Sequence, residues 1–309
     1  MADSAGLHHA LLTGGSADLV DLVRRRLEGA GAAARELQPG NYPAGHLAQA
    51  CSDVDVVVHL DSSLPQGKHY STVPVTELLE AVAGRVRRFV LQSSVQVYAP
   101  VPPSQWPILE HSPRFAPGTP GTQMYVKRKI DEENALLLAA ERAPMEFVIL
   151  RPTAVFGIEG GFAEQVLELV GRRPAAAVEW YSAFGVMQWV HIEDLADAIL
   201  VAALDDAAAD QAFTIAGPES FTVGELAEAT LSRDPSLLQA DRPTRFATMK
   251  ATAVMGWAPG RRLTDALVPP EPLPWGGWRS PRSAHFRPEP SNGRFSADGA
   301  SFLMRRPWL

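Results

Sequence analysis

Three short groups of side chains could move a proton or hold a phosphate. Ser93 and Ser94 follow the apolar run Arg88–Gln92, Tyr125 and Lys129 open a long helical pattern, and Thr13-Gly14-Gly15-Ser16 ends the first apolar run. Tyr125 and Lys129 are four residues apart, so on a helix they share one face. An ammonium beside a phenol favours the phenolate and draws a group with a reference pKa of about 10 toward working range. A serine hydroxyl held nearby can hydrogen-bond a carbonyl or alcohol oxygen. Together these groups make a proton-transfer site for C–O chemistry. A glycine turn between a strand and a helix is where backbone amides can meet a phosphate.

The surrounding pattern must position them. Strands are expected at 10–13, 32–37, 54–60, Arg88–Gln92 and 147–150, alternating with helices at 18–28, 47–51, 75–83 and 124–140. Such alternation predicts an α/β fold, a Rossmann-like doubly wound parallel sheet, with ligands beyond the carboxyl ends of the strands. Further helices are expected at 161–171, Ile192–Leu204 and 223–231, and a short strand at 213–215. The expected division is a Rossmann-like domain over 1–157, to which 188–205 returns. A smaller C-terminal substrate-binding domain takes 158–187 and 206–267, and an irregular tail takes 268–309. That tail is rich in Pro, Trp, Arg and Gly, with Trp275, Trp278 and Trp308, and reads as an ordered wrap or lid because disordered segments are poor in aromatics.

Composition narrows the class. The 309 residues are 46% hydrophobic and 20% charged, with net charge −7, which argues against a nucleic-acid partner. The single cysteine, Cys51, excludes an internal disulfide framework and cysteine-based zinc sites. His8-His9 reads as a frayed terminus, so no metal is expected. The first residues show no positive segment followed by an apolar run, and no stretch approaches the roughly 18 apolar residues of a membrane span. A cytoplasmic protein with a small-molecule substrate is expected.

Eight motifs in order then resemble the extended short-chain dehydrogenase/reductases, the NAD-dependent epimerase/dehydratase family, over roughly 10–267. They are Thr13-Gly14-Gly15; Asp55 to His59-Leu60; Phe89 to Tyr98; Glu110 and Pro117; Tyr125, Lys129 and Glu133; Leu150-Arg151-Pro152 to Phe156-Gly157; Val190-His191-Ile192-Glu193-Asp194-Leu195-Ala196; and Gly256-Trp257-Ala258-Pro259. The resemblance implies Tyr125 as catalytic acid/base and Lys129 as its partner, which would also bond a nicotinamide ribose. Ser94 would be the hydroxyl that polarises the substrate oxygen. It places Gly14, Gly15, Ser16, Gln38, Leu60 and Asp61 at dinucleotide positions. Ser93, Gln96, Phe156 and Tyr181 fall on the substrate side. It also implies a homodimer through the helices at 75–83 and 124–140.

The cofactor half departs from that pattern. Ala17 and Val20 stand at the second and third glycine positions, and Asp18 lies in the first helical turn, where it would repel a diphosphate. Gln38 replaces the ribose-binding acid, although Arg35 could serve a 2′-phosphate. Asn41 stands near the adenine position, and Asp61 stands where a small residue lets the cofactor pass. Only 26 residues separate Glu28 from Asp55, room for one strand where the family has two. The expectation is no NAD(P), or weakly bound NAD(P). Trp180, Tyr181, Phe184 and Trp189 form either core or an apolar wall for substrate. Between Phe156 and Trp189 the only basic residues are Arg172 and Arg173, which leans away from a nucleotide sugar. His59 reads as a core histidine, and His191 as serving a helix start with Asp194.

Three functions remain open. One is a non-redox cyclase, dehydratase or isomerase acting on a small oxygenated, secondary-metabolite-like molecule through Ser94, Tyr125 and Lys129. Another is an NAD(P)-dependent ketoreductase, epimerase or dehydratase working on a sugar or polyketide-type substrate. The third is a non-catalytic binding or regulatory protein on the same fold.

Overall fold

Six parallel strands carry the site: β1 His9–Gly14, β2 Ala33–Leu37, β3 Val56–Leu60, β4 Arg88–Gln92, β5 Glu146–Pro152 and β8 Gln211–Ile215, in the order β2-β1-β3-β4-β5-β8. The computed structural model describes residues 8–37, 46–60, 74–158, 162–181, 185–232, 234–238 and 244–267. Val56–Leu60 and Arg88–Gln92 are buried along their whole length, as a parallel sheet covered on both faces requires.

The two faces follow the period of two along each strand. Ala10, Leu12, Val56, Val58, Val148 and Leu150 pack on one face against α1 Ala17–Gly29 and α7 Ile192–Leu204. Leu11, Val57, Phe89, Leu91 and Ile149 pack on the other against α3 Val75–Val82 and α4 Met124–Arg142. The short α2 His46–Ala50 lies between β2 and β3 in the chain, and among the described residues β2 is the strand that stands between α1 and β3.

A second sheet has three strands, β6 Ala154–Phe156, β7 Val186–His191 and β9 Glu219–Thr222, with β6 and β7 parallel and β7 and β9 antiparallel. Its core is Phe156, Ala163, Val166, Trp189, Phe221 and Leu226, closed by α5 Phe162–Arg172, α6 Pro174–Tyr181 and α8 Val223–Ser232. Two short helices, α9 Met249–Met255 and α10 Leu263–Leu267, follow.

The expected division needs two corrections. The sequence places the strand at 213–215 in the smaller unit, yet β8 is the edge of the large sheet, pairing with β5 from Val148↔Gln211 to Pro152↔Ile215. The returning stretch 188–205 is itself divided, its strand in the small sheet and its helix on the large one. A period-two run identifies a strand but not its partner, and parallel partners are distant in sequence. Gln38, Asn41, Asp61, Phe184 and the 268–309 tail lie outside the described residues. Among the described residues no helix is long and apolar enough to cross a membrane, and no cluster of His, Cys, Asp or Glu could hold a metal.

Candidate active site

At its carboxyl end β4 runs into Ser93 and Ser94, both buried, and the Ser93 amide extends the ladder to the Leu150 carbonyl at 2.7 Å. Ser94 caps the tight turn Val95–Val97, its Oγ accepting from the Gln96 amide at 3.2 Å. That cap uses a lone pair of the hydroxyl, which has one proton to donate elsewhere.

Helix α4 crosses this strand end. Lys129 is 1% exposed, and its Nζ donates to the Gln92 carbonyl and to the Glu132 carboxylate, each at 2.9 Å. A buried ammonium is tolerated only with such partners. One turn earlier, Tyr125 packs with Phe115 against Val97, Val126 and Ile130, so its ring lies by the turn that Ser94 caps. The Arg128 guanidinium lies over that ring, 5.5 Å from its centre. Tyr125, Lys129 and Ser94, separated by up to 35 positions, thus gather beyond the carboxyl end of β4, where ligands bind in such sheets.

One turn past Lys129, Glu133 is wholly buried. It accepts from Ser93 Oγ at 2.5 Å, from Arg151 Nε and Nη2 at 2.9 and 2.8 Å, and from Arg114. Burial pushes its carboxyl up, but Arg151, Ser93 and Arg114 outweigh this and hold it below the ordinary carboxylate value. Burial works against the Arg151 charge, and Glu133 more than offsets it. Arg151 also donates to the Tyr98 hydroxyl at 3.0 Å and to the Glu110 carbonyl at 3.2 Å. Tyr98 meets Thr214 Oγ1 at 3.1 Å, and burial raises its phenol.

The sequence singles out Ser93, Tyr98, Glu110, Glu133 and Arg151 within separate motifs, but it shows neither their contacts nor Arg114. Ser93, expected on the substrate side, donates its hydroxyl proton to Glu133, whereas the Ser94 hydroxyl accepts from the Gln96 amide.

The other expected residues scatter. Gln96 is exposed at the turn. Phe156, also expected on the substrate side, is buried in the small-sheet core, edge-on to His191 at 4.9 Å. Tyr181 is half-buried, edge-on to Phe162 at 5.8 Å, and burial raises its phenol. Trp189 is core at 1% exposure and Trp180 is 43% exposed, so these two do not form one wall. His59 is buried, stacked on Phe89 and bonded through Nδ1 to Thr13 Oγ1 at 2.8 Å. His191 caps α7 through Nδ1, whereas Asp194 accepts from Gly260, Arg261 and the Arg261 guanidinium and ties the later chain to that helix.

At the glycine turn, Gly14 and Gly15 have φ of 68° and 87°. A Cβ on Gly15 would lie 2.9 Å from Leu60 Cβ and 3.1 Å from Val20 Cγ2, so only glycine fits. Ser16 caps α1, its Oγ accepting from the Leu19 amide at 3.3 Å, and Asp18 lies in the first turn.

Comparison with known proteins agrees with this architecture. A search of curated proteins finds no match. Among solved structures, a short-chain dehydrogenase/reductase superfamily protein from Agrobacterium tumefaciens with bound NAD is 18% identical, with a TM-score of 0.63, covering 84% of this chain and 95% of that one. UDP-glucose 4-epimerase from Thermotoga maritima, with UDP-glucose, is 16% identical at TM-score 0.61, covering 84% and 96%. A putative epimerase from Burkholderia cenocepacia is 22% identical at TM-score 0.60, also covering 84% and 96%. At these identities the likeness is one of fold. The profile of the NAD dependent epimerase/dehydratase family matches residues 7–222, more than half the sequence, and the chain belongs to that family.

Proposed function

We propose that this chain is an enzyme that performs acid/base chemistry on a small oxygenated substrate through Tyr125, Lys129 and Ser94, without relying on a dinucleotide. The observation that carries the reading is the buried Lys129 ammonium, fixed to the Gln92 carbonyl two residues before Ser94 and on the same helix face as Tyr125. Tyr125 takes or gives the proton, Lys129 favours its ionised form, and Ser94 donates to the substrate oxygen. Dehydration, cyclisation or isomerisation through an enolate needs only these roles.

The residues at the glycine turn do not fit a dinucleotide diphosphate. Such a group needs the backbone of the turn and the amides of the helix start. Here the Ser16 hydroxyl caps that start, Asp18 adds a carboxylate in the first turn, and the Val20 side chain fills the space before Gly15. A nucleotide sugar is also disfavoured as substrate. The basic residues near the small sheet are few, and Arg172 is 77% exposed and paired with Glu168. A redox enzyme is the second reading, favoured by the positive φ kept at Gly14 and Gly15 and by the NAD named with the Agrobacterium neighbour.

The test is deuterium exchange from solvent into a panel of hydroxyketones, followed by NMR with no dinucleotide added. The wild type is expected to exchange carbon-bound hydrogen, and Tyr125→Phe to lose about 10²–10⁴-fold of that rate. Equal rates in the two proteins would overturn the reading.

A further inference from the structure

Arg245 is a half-buried cation that meets no anion among the described residues. Burial pushes its guanidinium below the ordinary arginine value, and no carboxylate offsets that burial. Other shielded arginines are paired: Arg26 meets Asp197, Arg88 meets Glu146, Arg151 meets Glu133 and Arg261 meets Asp194. Arg245 Nη1 donates to the Val186 carbonyl of β7 at 3.3 Å, whereas its Nε is enclosed and has no acceptor. The guanidinium lies over the rings of Trp106 and Phe246, 5.8 and 5.3 Å from their centres. Aromatic faces attract the charge but accept none of the N–H bonds in the guanidinium plane.

The edge left over is Nε with Nη2. On Arg151 that same edge holds both oxygens of Glu133, at 2.9 and 2.8 Å. We propose that the Nε–Nη2 edge of Arg245 binds a carboxylate of the substrate, which makes the substrate an oxygenated carboxylic acid. A planar carboxylate takes two N–H bonds from one guanidinium edge and brings a single charge to match a single cation. A phosphate would bring up to two charges to that cation among apolar rings. Position fits the role. The Phe246 ring lies 6.1 Å from that of Tyr98, and Trp106 packs in one cluster with Tyr98 and Val95, which bound the turn that Ser94 caps. Arg245 is thus tied to the strand end that carries Ser94 and, through Val186, to the small sheet.

The inference rests on the proposed proton site only in calling the acid a substrate, and the test separates the two. Levulinate, an oxo acid, and its methyl ester are titrated into isotope-labelled protein while the arginine Nε–H signals are followed by NMR. The signal that Arg245→Lys lacks belongs to Arg245. It is expected to move with levulinate and to stay in place with the ester. Arg245→Gln should bind the acid at least about tenfold more weakly, and Tyr125→Phe should bind it as the wild type does. If Arg245→Gln does not fold, the wild-type signal decides alone. No movement with the acid, equal movement with the ester, or an unchanged affinity in folded Arg245→Gln would overturn the site. Inorganic phosphate binding as tightly as levulinate would overturn the choice of a carboxylate. Loss of the proton-exchange difference between the wild type and Tyr125→Phe, with the Arg245 signal still moving, would overturn the proton site and leave the carboxylate site standing.

Discussion

Glu133 holds a carboxylate with no exposure to solvent between Arg151, Arg114 and the Ser93 hydroxyl. Through Ser93 it fixes the end of β4 to α4, and so fixes Ser94 relative to Tyr125 and Lys129. Removing one partner of such a set leaves a buried charge uncompensated. Glu133→Gln is expected to cost about 3–5 kcal/mol at neutral pH, read by urea unfolding. The pH dependence follows from the direction of the shift. The carboxyl is lower in the folded chain than its unfolded value of 4.5, so the unfolded chain binds more protons over that range. The stabilisation is complete above that value and is lost as pH falls through the lower, folded one. The wild type should therefore lose more stability on acidification than Glu133→Gln, and parallel curves would contradict this. The sequence made the face of Tyr125, Lys129 and Glu133 legible, because a spacing of four marks a helix face. It did not reveal Arg114 and Arg151 as partners, because spacing along one helix carries no information about the strand and loop opposite.

Elements were legible where their pattern was long or unmixed. Arg88–Gln92 and Ile192–Leu204 have the limits expected of them, the first a short apolar run between polar ends and the second a helix-period apolar pattern that opens after His191. The small sheet was harder because its strands bury polar residues. Glu219 of β9 is 2% exposed and accepts from the Thr264 amide and hydroxyl. Gln188 of β7 bonds the Gly217 carbonyl and both polar backbone groups of Phe246. Partners distant in sequence satisfy these groups, so no alternation of apolar and polar residues appears. The turn into β9 carries its own test. A Cβ on Gly217 would fall 1.8 Å from the Trp189 carbonyl oxygen, so the backbone there cannot accept one without moving. Gly217→Ala is expected to cost at least about 1–3 kcal/mol in thermal unfolding, and an unchanged melting temperature would contradict the close approach.

The whole molecule joins two sheets by a chain that passes from the large to the small at β5 to β6, back from β7 into α7, and out again from β8 to β9. Tyr125, Lys129 and Ser94 belong to the large sheet's side of this join, on β4's end and on α4, and the small sheet keeps its own core with α5, α6 and α8. The family fold is kept with a single strand between α1 and β3 among the described residues, on the side where β2 forms the sheet edge. The 26 residues between Glu28 and Asp55 already point to one strand there, since a second strand and its crossover would need more chain. The substrate is not legible in the sequence, because the motifs name the groups that move a proton and not the shape of the space around them. The proposed function requires an intact proton site beside a diphosphate cradle closed by Ser16, Asp18 and Val20. Calorimetric titration of the purified chain with NADH and with NADPH tests it most directly. No saturable heat at micromolar ligand is the predicted result, and micromolar binding of either dinucleotide would contradict it.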